Sequence, residues 1–253
     1  MDSHDRELEQ AFDRQAARFE RAPVQSDPAA LARLVAFAGL PPGSRVLDAG
    51  CGPGLVAEAF LDAGCQVEGL DLSPEMVRRA RLRCARFGDR ARFEQGSLMT
   101  LAVKDPFDAS VSRFVLHHVE DPLLFVRQQA ALVRTGGVVV ACDHTGDPDG
   151  TAMIWMQRIE RARDRTHVLN LTHAQMADLL REAGLVDLTL VEEPFDLDFD
   201  EWFERGSPTC PKDEVRALLL AGKARGFDPV LRSDGGVTIR CFRTLARGVK
   251  PAA

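Results

Sequence analysis

Short β-rich runs alternate with longer helical stretches through the first 143 residues, and no other feature limits the possible folds so tightly. The runs are RVLDAG at 45–50, QVEGLD at 66–71, ARFEQ at 91–95, FDASVS at 107–112 and GVVVACD at 137–143. Between them lie Leu55–Asp62, Pro74–Arg86 behind Ser73, and Pro122–Val133 behind Asp121, each opening on a residue that caps or starts a helix and closing at or near Gly. Alternating βα units predict a parallel sheet covered by helices. Upstream, Phe12, Ala16 and Phe19 share one helical face and Leu31, Leu34, Val35 and Ala38 share another, so both segments are expected on the flank of the sheet.

After Asp143 the regular alternation stops. A helix over Asp149–Arg165, a helix over Thr172–Ala183 and a strand over Leu185–Val191 are followed by an irregular stretch, Glu192–Asp234. That stretch contains PFDLDFDEWFERGSPTCP and a helix from Lys212 to about Arg225, before a closing strand GVTIRCFRTLA. A cap inserted after the fifth strand and between the last two strands is the expected architecture, and at 253 residues one domain with such an elaboration is all the chain accommodates.

A net charge of −6 excludes a broad phosphate-binding face and favours a small or neutral partner, with no nucleic acid. No apolar run approaches the roughly 18 residues that span a bilayer, and the N-terminal MDSHDRELEQ is charged where a signal peptide is apolar, so a cytoplasmic location without membrane attachment is expected. The six cysteines form no CxxC pair and read as buried, reduced thiols. No histidine spacing suggests a metal site, and His117 beside His118 would point apart on an extended chain.

The local feature richest in chemistry is DAGCGPG at 48–54, which follows an apolar strand and opens a helix. Gly50, Gly52 and Gly54 are evenly spaced, whereas a dinucleotide fingerprint places its third glycine three residues after its second, so nicotinamide binding is the weaker reading. A plain tight βα turn is the alternative use of these glycines. Asp71 ends the second strand, where a carboxylate can accept both hydroxyls of a ribose, or else serves as an acid at a helix start.

RVLDAGCGPG, VEGLDLSPEMV, FEQGS, FVLHHVEDP and LVRTGGVVVACDH occur in an order and spacing that resembles the class I S-adenosylmethionine-dependent methyltransferases, in particular the ubiquinone and menaquinone biosynthesis branch. RIERARDRTHVLNLT and FDEWFERGSPTCP are similar to small-molecule members with an RDxSH-type stretch and a short helix containing Trp. The resemblance implies an α/β, doubly wound, mostly parallel seven-stranded sheet, with lid helices over 5–40, a cofactor-binding core over 45–143, and cap elements over 144–183 and 194–232 of a single domain. It implies S-adenosylmethionine as cofactor and S-adenosylhomocysteine as product. Gly50, Gly52 and Gly54 would lie under the methionine part, Asp48 would order that loop, and Asp71 would hold the ribose. Leu72, Met76, Gly96, Ser97, Leu98, Arg113 and His118 complete the implied cofactor set, with Phe12 and Phe19 on the lid helix. Ser97 stands where many members carry an acid facing the adenine amine, and Phe19 stands where the lid motif has Tyr; the chain has no tyrosine at all.

A sulfonium methyl is already a strong electrophile, so what remains for the protein is alignment, exclusion of water and, for some acceptors, removal of a proton. His117 follows the fourth strand and Asp143 ends the fifth, at the edge where doubly wound sheets bind ligands, and they are the candidate catalytic base and its orienter. The alternative is that one of the paired histidines caps the next helix and the other packs. Arg113 reaches the cofactor carboxylate or an anionic substrate, or pairs with Glu120 or Asp121. His144, His167 and Trp202 are the candidate substrate-binding residues; for Trp202 and Phe203 the alternative is anchoring the cap. Arg158, Arg161 and Arg165 share a helical face that reads as solvated, as does the acidic stretch Glu192–Glu204, which alternatively favours a cationic substrate.

Three functions fit these residues: methyl transfer to an O, N or C atom of a small molecule, by a monomer or homodimer; methylation of RNA; and cofactor binding without turnover. RNA methylation wants a basic patch or added module that the chain lacks.

Overall fold

The structure, a computed structural model, describes residues 3–102 and 105–252. Its eight strands form one sheet: β1 (Arg45–Ala49), β2 (Gln66–Asp71), β3 (Ala91–Gln95), β4 (Phe107–Arg113), β5 (Val133–His144), β6 (Val186–Asp198), β7 (Phe227–Leu231) and β8 (Val237–Val249). The order is β3-β2-β1-β4-β5-β8-β6, with β7 pairing β8 off that path. Strands β1 to β5 pair in parallel, and β8 runs antiparallel to β5, β6 and β7. The doubly wound sheet expected from the sequence is thus present, with one more strand than seven.

Ten helices accompany the sheet among the described residues: α1 (Ser3–Arg21), α2 (Pro23–Ser26), α3 (Pro28–Ala38), α4 (Leu55–Asp62), α5 (Pro74–Cys84), α6 (Pro122–Leu132), α7 (Gly150–Arg163), α8 (His173–Glu182), α9 (Phe199–Glu204) and α10 (Lys212–Leu220). Their starts follow capping chemistry. Ser73 accepts from the Met76 N–H, Asp121 from Leu124 and Asp149 from Ala152, while Thr172 and Gln175 form a reciprocal box.

Neighbouring residues along each buried strand serve opposite faces of the sheet. Val46, Val67, Val138 and Val140 pack with Leu34 of α3, Phe60 of α4 and Ala80 of α5. Leu47, Leu70, Val139 and Ala141 pack with Phe125 and Val126 of α6 and Met176 and Leu180 of α8. A third cluster forms the cap, where Met156 and Ile159 of α7 meet Phe199, Trp202, Phe203, Val215, Leu219 and Phe227.

Several boundaries differ from the sequence reading: β5 begins at Val133 and not at 137, α10 ends at Leu220 and not near Arg225, and β7 lies within the stretch read as irregular. The strand expected to stop at Val191 continues to Asp198, with Pro194–Asp198 paired to Phe242–Thr238, so part of the presumed cap is sheet. The acidic stretch there is largely ion-paired: Glu192 with Arg225, Glu193 with Arg33 and Arg243, Asp198 with Arg232, and Glu201 with Arg205. Helix α7 ends at Arg163, which leaves Arg165 beyond the helical face assigned to it. Of the upstream helices, α3 packs against α4 and β8, whereas α1 lies against α5. No described helix is long and apolar enough to cross a membrane.

Gly54 caps α4 at φ +83°, and a Cβ there would stand 3.0 Å from the Ala80 Cα and Cβ. Gly54→Ala is expected to lower unfolding free energy by about 2–4 kcal/mol through left-handed strain and overpacking of α4 on α5, as read by urea denaturation. A loss below about 0.5 kcal/mol would mean that the two helices are not locked at this point.

Candidate active site

The strand order reverses between β1 and β4, and their carboxyl ends open a crevice where two cavities adjoin. The larger, of about 300 Å³, is lined by the Gly50–Pro53 backbone, Asp71, Leu72, Met76, Gly96–Met99 and Arg113–Val115. Helix α1 closes it from above with Leu8, Phe12 and Phe19, and His118 forms its inner end. The smaller cavity, of about 20 Å³, lies behind Phe19, Gln25, Phe114 and His118, which face both spaces. Its remaining walls are His117, His144, Glu160, Arg163, Trp202 and Arg205.

The glycine loop takes its shape from left-handed backbone at Gly50 (φ +77°) and Gly52 (φ +52°). A Cβ on Gly50 would fall 2.6 Å from a Val115 methyl carbon, whereas one on Gly52 would meet nothing within 4 Å, so the backbone at Gly52 stands bare toward the cavity. Asp71 ties this loop to the next helix by accepting from the Gly52 N–H at 2.8 Å and the Ser73 N–H at 2.9 Å. Burial pushes its carboxyl up to about 6 against those bonds. Asp48 lies beneath the loop and outside the cavity lining; burial, then the nearby Asp71 charge, lifts it to about 7, and its Oδ2 has no hydrogen-bond partner. Gly54 is also outside the lining, where it packs α4 on α5. Ser97 lines the cavity and caps a 3₁₀ turn at Leu98–Thr100.

Arg113 makes neither ion pair considered for it. Its guanidinium donates to the Val24 and Gln25 carbonyl oxygens at 2.7 and 2.9 Å, which fastens the segment after α1 to the end of β4. The next residue, Phe114, is held at φ +56°, an uncommon conformation for a bulky residue, and it places its ring between the two cavities.

His117 and His118 belong to a 3₁₀ turn, Leu116–His118, so their rings do not diverge as on an extended chain; the ring centroids are 4.1 Å apart. Asp121, not either histidine, caps α6. His117 Nδ1 donates to Asp143 Oδ1 at 2.6 Å, its backbone N–H to Asp143 Oδ2 at 3.2 Å, and the His144 N–H also donates to Asp143 at 2.7 Å. With the proton on Nδ1, Nε2 keeps its lone pair. Burial opposes charging of this ring, but the Asp143 contact outweighs it and holds the imidazole above the usual histidine range. The same contact overcomes burial at Asp143 and keeps its carboxyl below the ordinary value. His118, whose Nδ1 donates to the Thr166 carbonyl at 3.0 Å, is driven down to about 3 by burial and by its charged neighbour.

The other substrate candidates lie around this pair. His144, 5.6 Å from His117 between ring centroids, lines the inner cavity with its Nδ1 unpartnered, and burial holds it neutral. His167 is bonded to Gln157 and is outside the lining of both cavities. Trp202 packs against Phe199 and Phe227, the anchoring weighed for it, and also walls the inner cavity. Gln25, Phe114, Glu160, Arg163 and Arg205 had no place in the sequence reading of the site. The available signal was that Arg163 opens RDRTH and Arg205 follows the Trp202 helix, two segments already singled out.

The family model described as a methyltransferase domain matches residues 21–190. The chain is similar to a ubiquinone biosynthesis O-methyltransferase of Xanthomonas campestris pv. campestris (strain B100), 42% identical over 100 residues, a match spanning 39% of this chain and 42% of the relative's length. It is 33% identical over 190 residues to the enzyme of that name from Xanthomonas axonopodis pv. citri (strain 306), covering 72% of this chain and 77% of the relative. Among solved structures it superposes on the YcgJ protein of Bacillus subtilis with a TM-score of 0.79 at 25% identity, over 88% of this chain and 98% of that one.

Ionising Asp48 in its buried position opposes folding. Between the unfolded value near 3.8 and the folded value of about 7, the native state holds a proton that the unfolded chain has lost, so this group's contribution falls as pH rises. Asp48→Asn is therefore expected to gain thermal stability over the parent progressively from about pH 4 to about pH 8, reaching on the order of 4 kcal/mol. A pH-independent difference in melting temperature would contradict the assignment.

Proposed function

The chain belongs to the methyltransferase-domain family, in its class I S-adenosylmethionine-dependent form, and we propose that it methylates a hydroxyl oxygen of a small molecule with His117 as general base. The observation that carries this reading is the 2.6 Å bond between His117 and a buried Asp143, beside a cavity with room for a cofactor. The residues suit S-adenosylmethionine: the bare backbone at Gly52 admits close approach, the Asp71 carboxylate stands at the lip of the second strand, and apolar Leu72, Met76 and Leu98 offer faces for a flat base. Once bound, the cofactor supplies a methyl group on positively charged sulfur, an electrophile needing no metal or further activation.

The protein then aligns the acceptor oxygen with that methyl and accepts its proton. Asp143 fixes the His117 ring with Nδ1 protonated, which leaves Nε2 as the base, and it stabilises the imidazolium that results. Transfer of that methyl to the acceptor oxygen would leave the cofactor as a neutral thioether, which keeps the electron pair, and His117 would take the hydroxyl proton and later release it to solvent. Phe12, Phe19 and Phe114 keep water from the line of transfer. An oxygen acceptor suits a site with a poised base better than an amine, which mainly needs desolvation and orientation, and the relatives named for O-methylation agree.

Calorimetric titration should detect S-adenosylmethionine and S-adenosylhomocysteine but not NAD; binding of NAD alone would sink the proposal. Asp71→Ala should weaken S-adenosylhomocysteine binding roughly ten- to a hundredfold. His117→Ala should leave that binding intact and reduce turnover on the order of 10²–10⁴-fold.

The acidic limb of the rate profile reports protonation of His117. Because Asp143 raises this histidine above its ordinary 6.5, the limb should lie above that value in the parent and move to lower pH in Asp143→Asn, alongside a fall in maximal rate. An unmoved limb would assign the ionisation to another group.

A further inference from the structure

The inner cavity contains hydrogen-bonding groups that the catalytic pair does not explain. Arg163 is 6% exposed and spends its guanidinium unevenly: Nε donates to the Trp202 carbonyl at 2.8 Å and Nη1 to Asp164 Oδ2 at 3.1 Å, but buried Nη2 has no partner. A charged donor left without an acceptor in a buried place is costly unless a ligand supplies one. Arg205 lines the same space, also 6% exposed, with one edge on Glu201 and its guanidinium carbon 5.5 Å from the Phe19 ring centroid. The buried Nδ1 of His144, also unpartnered, is on this wall.

The missing partners are mostly acceptors. One carboxylate, Glu160, faces the cavity from α7; burial raises its carboxyl above the ordinary value while the neighbouring Arg163, His117 and Arg205 oppose that rise, and the two guanidinium groups outnumber it on the wall. At about 20 Å³ the space takes a small functional group and not a ring. The rest of such a molecule would lie on the shared wall of Phe19, Gln25, Phe114 and His118, between the inner cavity and the larger one.

Resting on the methyl-transfer reading above, we propose that the acceptor is a hydroxy acid whose carboxylate enters the inner cavity and is received by Arg163 Nη2 and Arg205. Planar guanidinium groups match a carboxylate with two directed N–H bonds, which fixes orientation as well as position. The RDRTH segment acquires a purpose in this arrangement. Asp164 accepts from the Thr166 N–H and hydroxyl and steadies Arg163, while the Thr166 carbonyl holds His118. One short stretch of chain thereby sets the anion receptor and one wall of the reaction site.

The test is calorimetry on the full chain saturated with S-adenosylhomocysteine, using matched pairs that differ only in charge: para-hydroxybenzoate with para-hydroxybenzamide, salicylate with salicylamide, and mandelate with mandelamide. At least one acid should bind roughly ten- to a hundredfold more tightly than its amide. Arg163→Gln should erase that preference while S-adenosylhomocysteine affinity stays at the parent value. Arg205→Gln, which leaves the Trp202 contact in place, should reduce the preference independently if the first variant folds poorly. Acids and amides binding alike, no acid binding, or a preference surviving in both variants would overturn the assignment and leave the cavity as a site for ordered water. Failure of the parent to bind S-adenosylhomocysteine would count against methyl transfer itself, and the acid and amide titrations repeated without it would still decide the pocket.

Discussion

Two parallel strands that leave the middle of the sheet in opposite directions create the space on which everything else depends. Strand β1 hands the chain to α4 on one face, and β4 hands it to α6 on the other, so the chain diverges beyond their carboxyl ends. The loop after β1 supplies bare backbone, and the turn after β4 supplies Phe114, His117 and His118. Neither loop forms a site alone. Parallel pairing of β4 with β5, continued by the Phe114 N–H to Cys142 carbonyl bond of 2.7 Å, brings Asp143 beside the turn and gives His117 its partner.

Helix α1 and the segment after it are fastened to this frame by a set of polar contacts. Arg113, buried at the end of β4, donates to two carbonyls just beyond α1, while Asp13 on α1 accepts from the Ser73 hydroxyl and Glu20 pairs with Arg79 and Arg83 of α5. The half-buried ion pairs of this set contribute modestly each, whereas the buried Arg113 bonds are expensive to break because they would leave a charge unsatisfied. The helix is thus anchored at its C-terminal side, and Phe12 and Phe19 remain over the cavity.

The cap is a second construction with its own core. Helices α7, α9 and α10 pack around Met156, Trp202, Phe203 and Phe227 and press a polar surface against the end of the sheet. The buried charges of this surface cost desolvation, so their concentration against a small space beside His117 is hard to ascribe to stability. A role in holding a polar ligand accounts for them, and the proposed carboxylate is the ligand chemistry their unpaired donors favour.

Local periodicity and turn chemistry were sufficient to place β1 to β5, the helices between them, and the glycine loop, because each depends on neighbours within a few residues. Asp71 and the His117–Asp143 pair were also legible, since strand ends of a doubly wound sheet converge by rule, whereas Phe12 and Phe19 of α1 were singled out for the site only by the family resemblance. The continuation of β6 to Asp198 was not: an acidic run containing Pro reads as surface loop until β8 provides its ladder and Arg225, Arg243 and Arg232 its counter-charges. Gly54 and Asp48 kept their places in the motif but face the helix packing and the underside of the loop, a distinction set by side-chain direction in three dimensions. Arg163 and Arg205, 42 positions apart in a chain with 32 basic residues, carry no local mark of burial. Only the docking of α7 and α9 against the sheet removes them from water and turns two ordinary surface-type residues into the walls of a pocket.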